Sequence, residues 1–204
     1  MTLADVAGVP ETALPAGTLD RLPTRTPAPP WRVPVRALLW AGRGHPPLPS
    51  GSPYAGRTLP LTVGGLIEYL DSPVGPYREV LGAVLLRAPG LHVPFIAVDS
   101  LPSLRAGREH WDLPKTLASF DGGTARGTGW SVTTETRPYG PALPAAAALF
   151  AYQGGRRALV TGRGRARAAR VTVTVTGPTL PDWLRPGRHL GVTLHGTATL
   201  RPLH

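Results

Sequence analysis

Hydrophobic and polar positions alternate through much of the second half of the chain. From Arg170 to Thr176 the valines Val171, Val173 and Val175 fall on one side and the threonines on the other. That period of two is the pattern of a half-buried strand. Gly191 to Leu200 repeats it, with Val192, Leu194, Ala198 and Leu200 opposite Thr193, His195, Thr197 and Thr199. Val80 to Leu86 and Val93 to Val98 are instead short, continuous apolar runs bounded by glycine and proline, as expected of strands buried on both faces. Trp130 to Thr136 and Ala158 to Thr161 complete the strand series. Helical periodicity is weaker and predicts three short helices, at Leu61 to Leu70, Leu101 to His110 and Ala145 to Tyr152. Together these elements predict a mainly β, β-rich α+β fold. Its antiparallel sheet is curled or closed into a cone or barrel, which removes exposed strand edges.

The ends differ in character from the middle. Residues 1–32 hold Pro23, Pro27, Pro29 and Pro30, which exclude a regular helix or a central strand. We expect a proline-rich arm that lies on the body or on a neighbouring subunit, followed by a single domain over 33–204. A second proline-rich loop runs from His45 to Pro53. No internal repeat and no alternation of strands with helices is evident.

At 204 residues the chain is long enough to bury a real core. Cysteine is absent, which excludes disulfides and thiolate metal sites. The histidines (His45, His92, His110, His189, His195 and His204) lack paired ligand spacing, so no metal is expected. No stretch is apolar for long enough to span a bilayer, and no basic segment precedes an apolar run at the N-terminus. A cytoplasmic location without a membrane partner is the resulting expectation. The net charge of +10 is compatible with a polyanionic partner. Yet its densest run, Arg163 to Arg170, has no interleaved aromatics to stack on bases, and we expect no nucleic-acid partner.

Charge becomes informative once its chemistry is separated. Lys115 is the only lysine, against twenty-one arginines. Arginine stays protonated, whereas a lysine amine can lose its proton when buried or set near other cations. Only that neutral amine attacks a carbonyl carbon to form a Schiff base. Lys115 follows Pro114, which fixes the backbone just before it and aims the side chain. A GC-rich genome offers a plainer account of scarce lysine, consistent with the lack of asparagine and with only two isoleucines, Ile67 and Ile96.

Two segments give Lys115 a context. In Gly75-Pro76-Tyr77-Arg78-Glu79 a turn feeds a strand and places an acid near its start. In Gly107-Arg108-Glu109-His110-Trp111-Asp112-Leu113-Pro114-Lys115 a helix end leads to the lysine. Their order and spacing resemble the acetoacetate decarboxylase family, with its Gly-Pro-Tyr-x-Glu, Gly-Arg-Glu and Pro-Lys elements. The resemblance implies an antiparallel β-cone enclosing a pocket, a Schiff-base lysine at Lys115, an acidic neighbour at Glu79, and a homo-oligomer. It also implies a small keto-acid substrate handled without a cofactor. An arginine from the N-terminal part would hold the substrate carboxylate. Arg36 and Arg43, flanking the apolar strand Ala37 to Ala41, are the candidates, with Arg32 behind them.

Departures from the family pattern define what to look for. The family's second lysine is Thr116 here, and its glycine and aromatic before Pro-Lys are Asp112 and Leu113. Acetoacetate decarboxylase is a known case of a lysine activated by desolvation or by a cationic neighbour. Thr116 supplies no charge, so a depressed amine pKa, near ~7–8 for a tuned catalytic lysine, would require burial or an arginine such as Arg78 or Arg108. Glu109 or Asp112 in contact with Lys115 would raise it instead. The expected function is a Schiff-base lyase, decarboxylating or running aldol and dehydration chemistry. The alternatives are a non-catalytic binding protein for an acidic small molecule and a basic protein that binds nucleic acid through Arg163 to Arg170.

Overall fold

The computed structural model describes residues 2–48, 52–88 and 90–204, so the middle of the predicted His45 to Pro53 loop lies outside the described residues. Strands dominate. They are β1 (Trp31–Arg43), β2 (Thr58–Tyr69), β3 (Tyr77–Leu86) and β4 (Gly90–Val98) in the first half. Helix α1 (Leu101–Trp111) follows, then the short strands β5 (Lys115–Leu117), β6 (Ser119–Asp121) and β7 (Thr124–Gly127). The last part holds β8 (Trp130–Pro138), β9 (Leu143–Gln153), β10 (Arg156–Thr176), the short helix α2 (Leu180–Leu184) and β11 (Gly187–Leu203). No helix among the described residues is long and apolar enough to cross a membrane.

Neighbouring strands run β11-β1-β2-β3-β4-β9-β10, and β10 pairs back onto β11 to close a ring of 7 strands. Strand β10 makes this closure possible. Its first half pairs with β9 and its second half with β8, while β11 runs along the other edge. Pairing is antiparallel except where β4 meets β5 and β9 in parallel. The expected curled, closed sheet is therefore present.

Strands β1 to β4 each serve two cores, one on each face. In β1 the odd residues Trp31, Val33 and Val35 are buried first; further along, burial passes to the even residue Trp40. The first set packs with Tyr69, Tyr77, Val98, and the α1 residues Leu104 and Trp111. The second packs with Val80, Phe95, Val171, Val173, and the α2 residues Trp183 and Leu184. Trp40 lies so close over β2 that a Cβ on Gly64 would sit 2.2 Å from its ring, so this position must be glycine.

Two of the three predicted helices are strands. Leu61 to Leu70 falls in β2 and Ala145 to Tyr152 in β9. In both, the alanine- and leucine-based helical pattern is overridden by pairing: β2 is hydrogen-bonded to β1 and β3, and β9 runs along β10. The third prediction is realised as α1. Ser100 caps it by accepting from Ser103 N at 3.2 Å, Pro102 occupies its first turn, and Asp112 ends it in a left-handed conformation (φ 49°).

The N-terminal arm lies on the body. Val9 N donates to Pro94 O at 3.0 Å, and Val6 and Val9 are buried. The Glu11 carboxylate is buried and accepts from Thr179 N (2.6 Å), Leu180 N (3.1 Å) and Thr179 Oγ1 (2.7 Å), which ties the arm to the start of α2. Glu11→Ala would strand these donors away from water, at a cost of about 1–3 kcal/mol for each unsatisfied group. We expect a loss of at least about 2 kcal/mol in urea unfolding, together with earlier proteolytic release of the arm.

Candidate functional site

Lys115 begins β5, which pairs in parallel with β4 so that Lys115 lies opposite Ile96. Its side chain runs back beneath α1. A Cβ on Gly107 would come within 2.4 Å of Lys115 Cδ and 2.6 Å of Cε, so the glycine is the gap through which the lysine stem passes. The next residue of that motif holds the backbone. Arg108 is buried, and its guanidinium donates to the Lys115 carbonyl (2.7 Å), to Leu3 O (2.7 Å) and to Thr12 O (3.0 Å). Burial draws the Arg108 pKa down to about 10, which still leaves it cationic at neutral pH. It therefore ties helix, lysine strand and arm together.

The Lys115 amine is itself withdrawn from water, its side chain only 5% exposed. Nζ lies 2.8 Å from Glu79 Oε2, outside the angular range of a hydrogen bond but within that of a close ion pair. It donates to Ser103 Oγ at 3.0 Å and sits 5.1 Å from the centre of the Tyr77 ring. Tyr69 donates its hydroxyl proton to Glu79 Oε1 at 3.2 Å, and its ring stacks on that of Tyr77. Strand alternation explains the convergence. Tyr77 and Glu79 are two apart on β3 and project to one face, and Glu79 is in register with Ile67, two residues before Tyr69 on β2.

Electrostatics follow from that packing. Burial alone would push the Lys115 amine below its ordinary 10.5, but the charge of Glu79, and then Tyr77, more than reverse it, and the net direction is upward. Burial also raises the Tyr77 hydroxyl, and burial together with Glu79 holds that of Tyr69 well above its usual range. The activation expected from burial is thus outweighed in the resting state. Neither arginine proposed as a cationic neighbour faces the amine: Arg78 pairs with Asp99 at 3.0 Å, and Arg108 is spent on carbonyls.

The two carboxylates nearest Lys115 in sequence go elsewhere. Glu109 accepts from Arg105 Nε at 3.0 Å, and Asp112 from Arg156 Nη2 at 2.6 Å. Thr116 points away from the amine and donates to Ala13 O at 3.1 Å.

Arg36 and Arg43 do not join this group. Arg36 alternates with the buried Val35 and projects to the opposite face of the sheet, where it pairs with Glu68 at 3.5 Å. Arg43 ends β1, exposed, in register with Leu61. The cavity that Arg36 lines, about 700 Å³, has Glu79 in its wall but not Lys115, and most of its charged lining, Arg36, Glu68, Arg78 and His195, is of opposite parity to Glu79. An enclosed pocket around Lys115 is therefore not what this cavity provides. Sequence reasoning missed Tyr69, Tyr77 and Ser103 as partners of the pair. Tyr77 carried a signal, since it stands two residues before Glu79 in the same strand.

No protein-family model matches the chain, and no curated protein matches it by sequence. Solved structures do. An acetoacetate decarboxylase is similar at TM-score 0.56 and 14% identity, over 87% of this chain and 88% of that one. An acetoacetate decarboxylase-like enzyme from Sphingomonas wittichii RW1 is similar at TM-score 0.54 and 15% identity, covering 88% and 94%. The enduracididine biosynthesis enzyme MppR, complexed with pyruvate, is similar at TM-score 0.50 and 15% identity, covering 87% and 90%. The chain has the acetoacetate decarboxylase-like fold, as its two motifs implied.

The ion pair generates a prediction with a definite sign. Because the folded-state pKa of Lys115 lies above 10.5, the stability it contributes is full below the unfolded value and is lost as pH rises through the folded one. Glu79→Gln leaves a buried, unpaired ammonium, and we expect a loss of about 3–5 kcal/mol near neutral pH. Burial then acts without its counter-charge, the amine pKa falls below 10.5, and stability should rise with pH up to that value. Urea unfolding of both proteins between neutral and alkaline pH reads the reversal of slope.

Proposed function

We infer that this protein is a cofactor-free lyase that forms a Schiff base between Lys115 and a small keto acid. The observation that carries this reading is that the single lysine is buried against a carboxylate, Lys115 Nζ lying 2.8 Å from Glu79 Oε2. The fold shared with acetoacetate decarboxylase, and with an enzyme holding pyruvate, supports the choice of substrate class.

Lys115 rests protonated, so the first step moves its proton to Glu79, giving a neutral amine and a carboxylic acid. The amine adds to the ketone carbon, and Glu79 returns the proton as hydroxide leaves as water. The resulting protonated imine accepts the electron pair released when the carbon–carboxylate bond breaks and CO2 departs. Protonation of the enamine carbon and addition of water then release product and free lysine. The same imine serves aldol condensation or dehydration where the substrate is pyruvate-like. Ser103 holds the amine in place, and Tyr69 holds the carboxylate.

A second reading, a non-catalytic protein that binds an acidic small molecule on the same fold, is favoured by one feature. The amine is held protonated and enclosed, which suits an ion pair that only holds the sheet and α1 together.

Borohydride reduction in the presence of pyruvate, acetoacetate or longer keto acids, read by intact mass, separates the two. We expect one adduct per chain on the wild type and none on Lys115→Arg, which keeps the charge but loses the ionisable amine. Because the amine pKa is raised, trapping should increase with pH toward 10.5, and Glu79→Gln should shift that rise to lower pH. Absence of adduct across the whole panel would leave the binding protein. Adduct persisting in Lys115→Arg would reject Lys115 as the nucleophile.

A further inference from the structure

The face of the sheet turned away from Lys115 carries a row of charged residues that the lysine chemistry does not use. Arg78 is in register with Glu68, Glu68 with Arg36, Arg36 with His195, and His195 with Arg165, a continuous line across β3, β2, β1, β11 and β10. The next row on the same face is apolar toward β2 and β1, where Leu66 lies opposite Leu38. It ends in Thr193 opposite Arg167. Both rows line the cavity of about 700 Å³, and Phe120 of β6 closes it from the side with the Arg78 guanidinium 5.3 Å from its ring centre.

The charges in this cavity are not balanced. Glu68 offsets Arg36, and Asp99 offsets Arg78. Arg165 and Arg167 have no carboxylate partner among the described residues. They are nevertheless held in place: Arg165 Nη2 donates to Ala142 O at 2.5 Å and Arg167 Nε to Gly140 O at 2.7 Å. Each guanidinium has five donors, and these contacts use one, so both keep donors free for an anion. Two fixed, unneutralised cations beside an apolar floor of Leu38, Leu66 and Phe120 match a molecule with one charged end and one greasy end.

We propose that this cavity is a second ligand site, for an amphiphilic organic anion such as an aryl or acyl carboxylate, phosphate or sulfonate. The anionic group binds Arg165 and Arg167, and the apolar body lies on Leu38, Leu66 and Phe120. The site does not include Lys115, although Glu79 is in its wall, and it stands whether or not Lys115 forms a Schiff base.

Fluorescence titration with anilinonaphthalene sulfonate, an aromatic body with one anionic group, tests this on the intact chain. The wild type should bind one probe saturably. Arg165→Gln combined with Arg167→Gln should weaken binding at least about tenfold, the loss of one charge-assisted hydrogen bond or more. Phe120→Ala should weaken it by a smaller factor, and Lys115→Arg should leave it within about twofold of wild type. Both arginines are surface residues, so the double variant should fold, which circular dichroism is to check. Affinity unchanged in the double variant, non-saturable binding by the wild type, or equal loss in Lys115→Arg would each overturn the site. Inorganic phosphate competing as well as the probe would overturn the amphiphilic class.

Discussion

An ammonium group taken out of water governs the architecture on one side of this sheet. Its effective desolvation costs several kcal/mol unless a counter-charge and hydrogen-bond acceptors replace the lost water. Glu79 supplies the charge, Ser103 an acceptor and Tyr77 an aromatic face. Glu79 and Tyr77 come from β3 and Ser103 from α1, so the requirements of one amine fix β3, α1 and β5 relative to one another. Gly107 and Arg108 extend that constraint outward, the glycine by leaving room for the lysine stem and the arginine by binding the Lys115 carbonyl and the arm together.

The same pairing bears on reactivity. Desolvation and a carboxylate act on an amine in opposite directions, and at 2.8 Å the carboxylate prevails. Lys115 is thus a cation at rest, with a carboxylate already in contact. Any substrate that displaces or protonates Glu79 removes the counter-charge and leaves burial unopposed. On the proposed Schiff-base reading, activation is then a consequence of substrate arrival, a different solution from a second lysine beside the nucleophile. At that position Thr116 holds Ala13 of the arm instead.

How much of this the sequence revealed depends on the range of the interaction. Alternation over Arg170 to Thr176 and Gly191 to Leu200 is local, and both are strands. The order of the Gly-Pro-Tyr and Pro-Lys segments also brought Lys115 and Glu79 into one account before their contact was visible. Leu61 to Leu70 and Ala145 to Tyr152 misled because their composition suits a helix, while their conformation is set by strands distant in sequence. Arg36 lies on β1 as expected, but its side chain pairs with Glu68 and not with the Lys115 group. A shift of one residue reverses the face of a strand, and only the register with Glu68 and His195 shows which way Arg36 points.

That sensitivity to parity is also what gives the sheet two chemistries. On β3, Tyr77 and Glu79 look toward Lys115, while Arg78 between them looks into the basic cavity. On β2, Tyr69 hydrogen-bonds Glu79, while its neighbour Glu68 pairs with Arg36. A high arginine content therefore need not compete with the buried lysine for its carboxylate. The backbone of a single sheet keeps the two sets of charges apart, with the Glu79 carboxylate committed to the lysine and the arginines of β10 left open on the other side. Side-chain alternation, and not distance along the chain, separates a closed ion pair from an open anion-binding surface here.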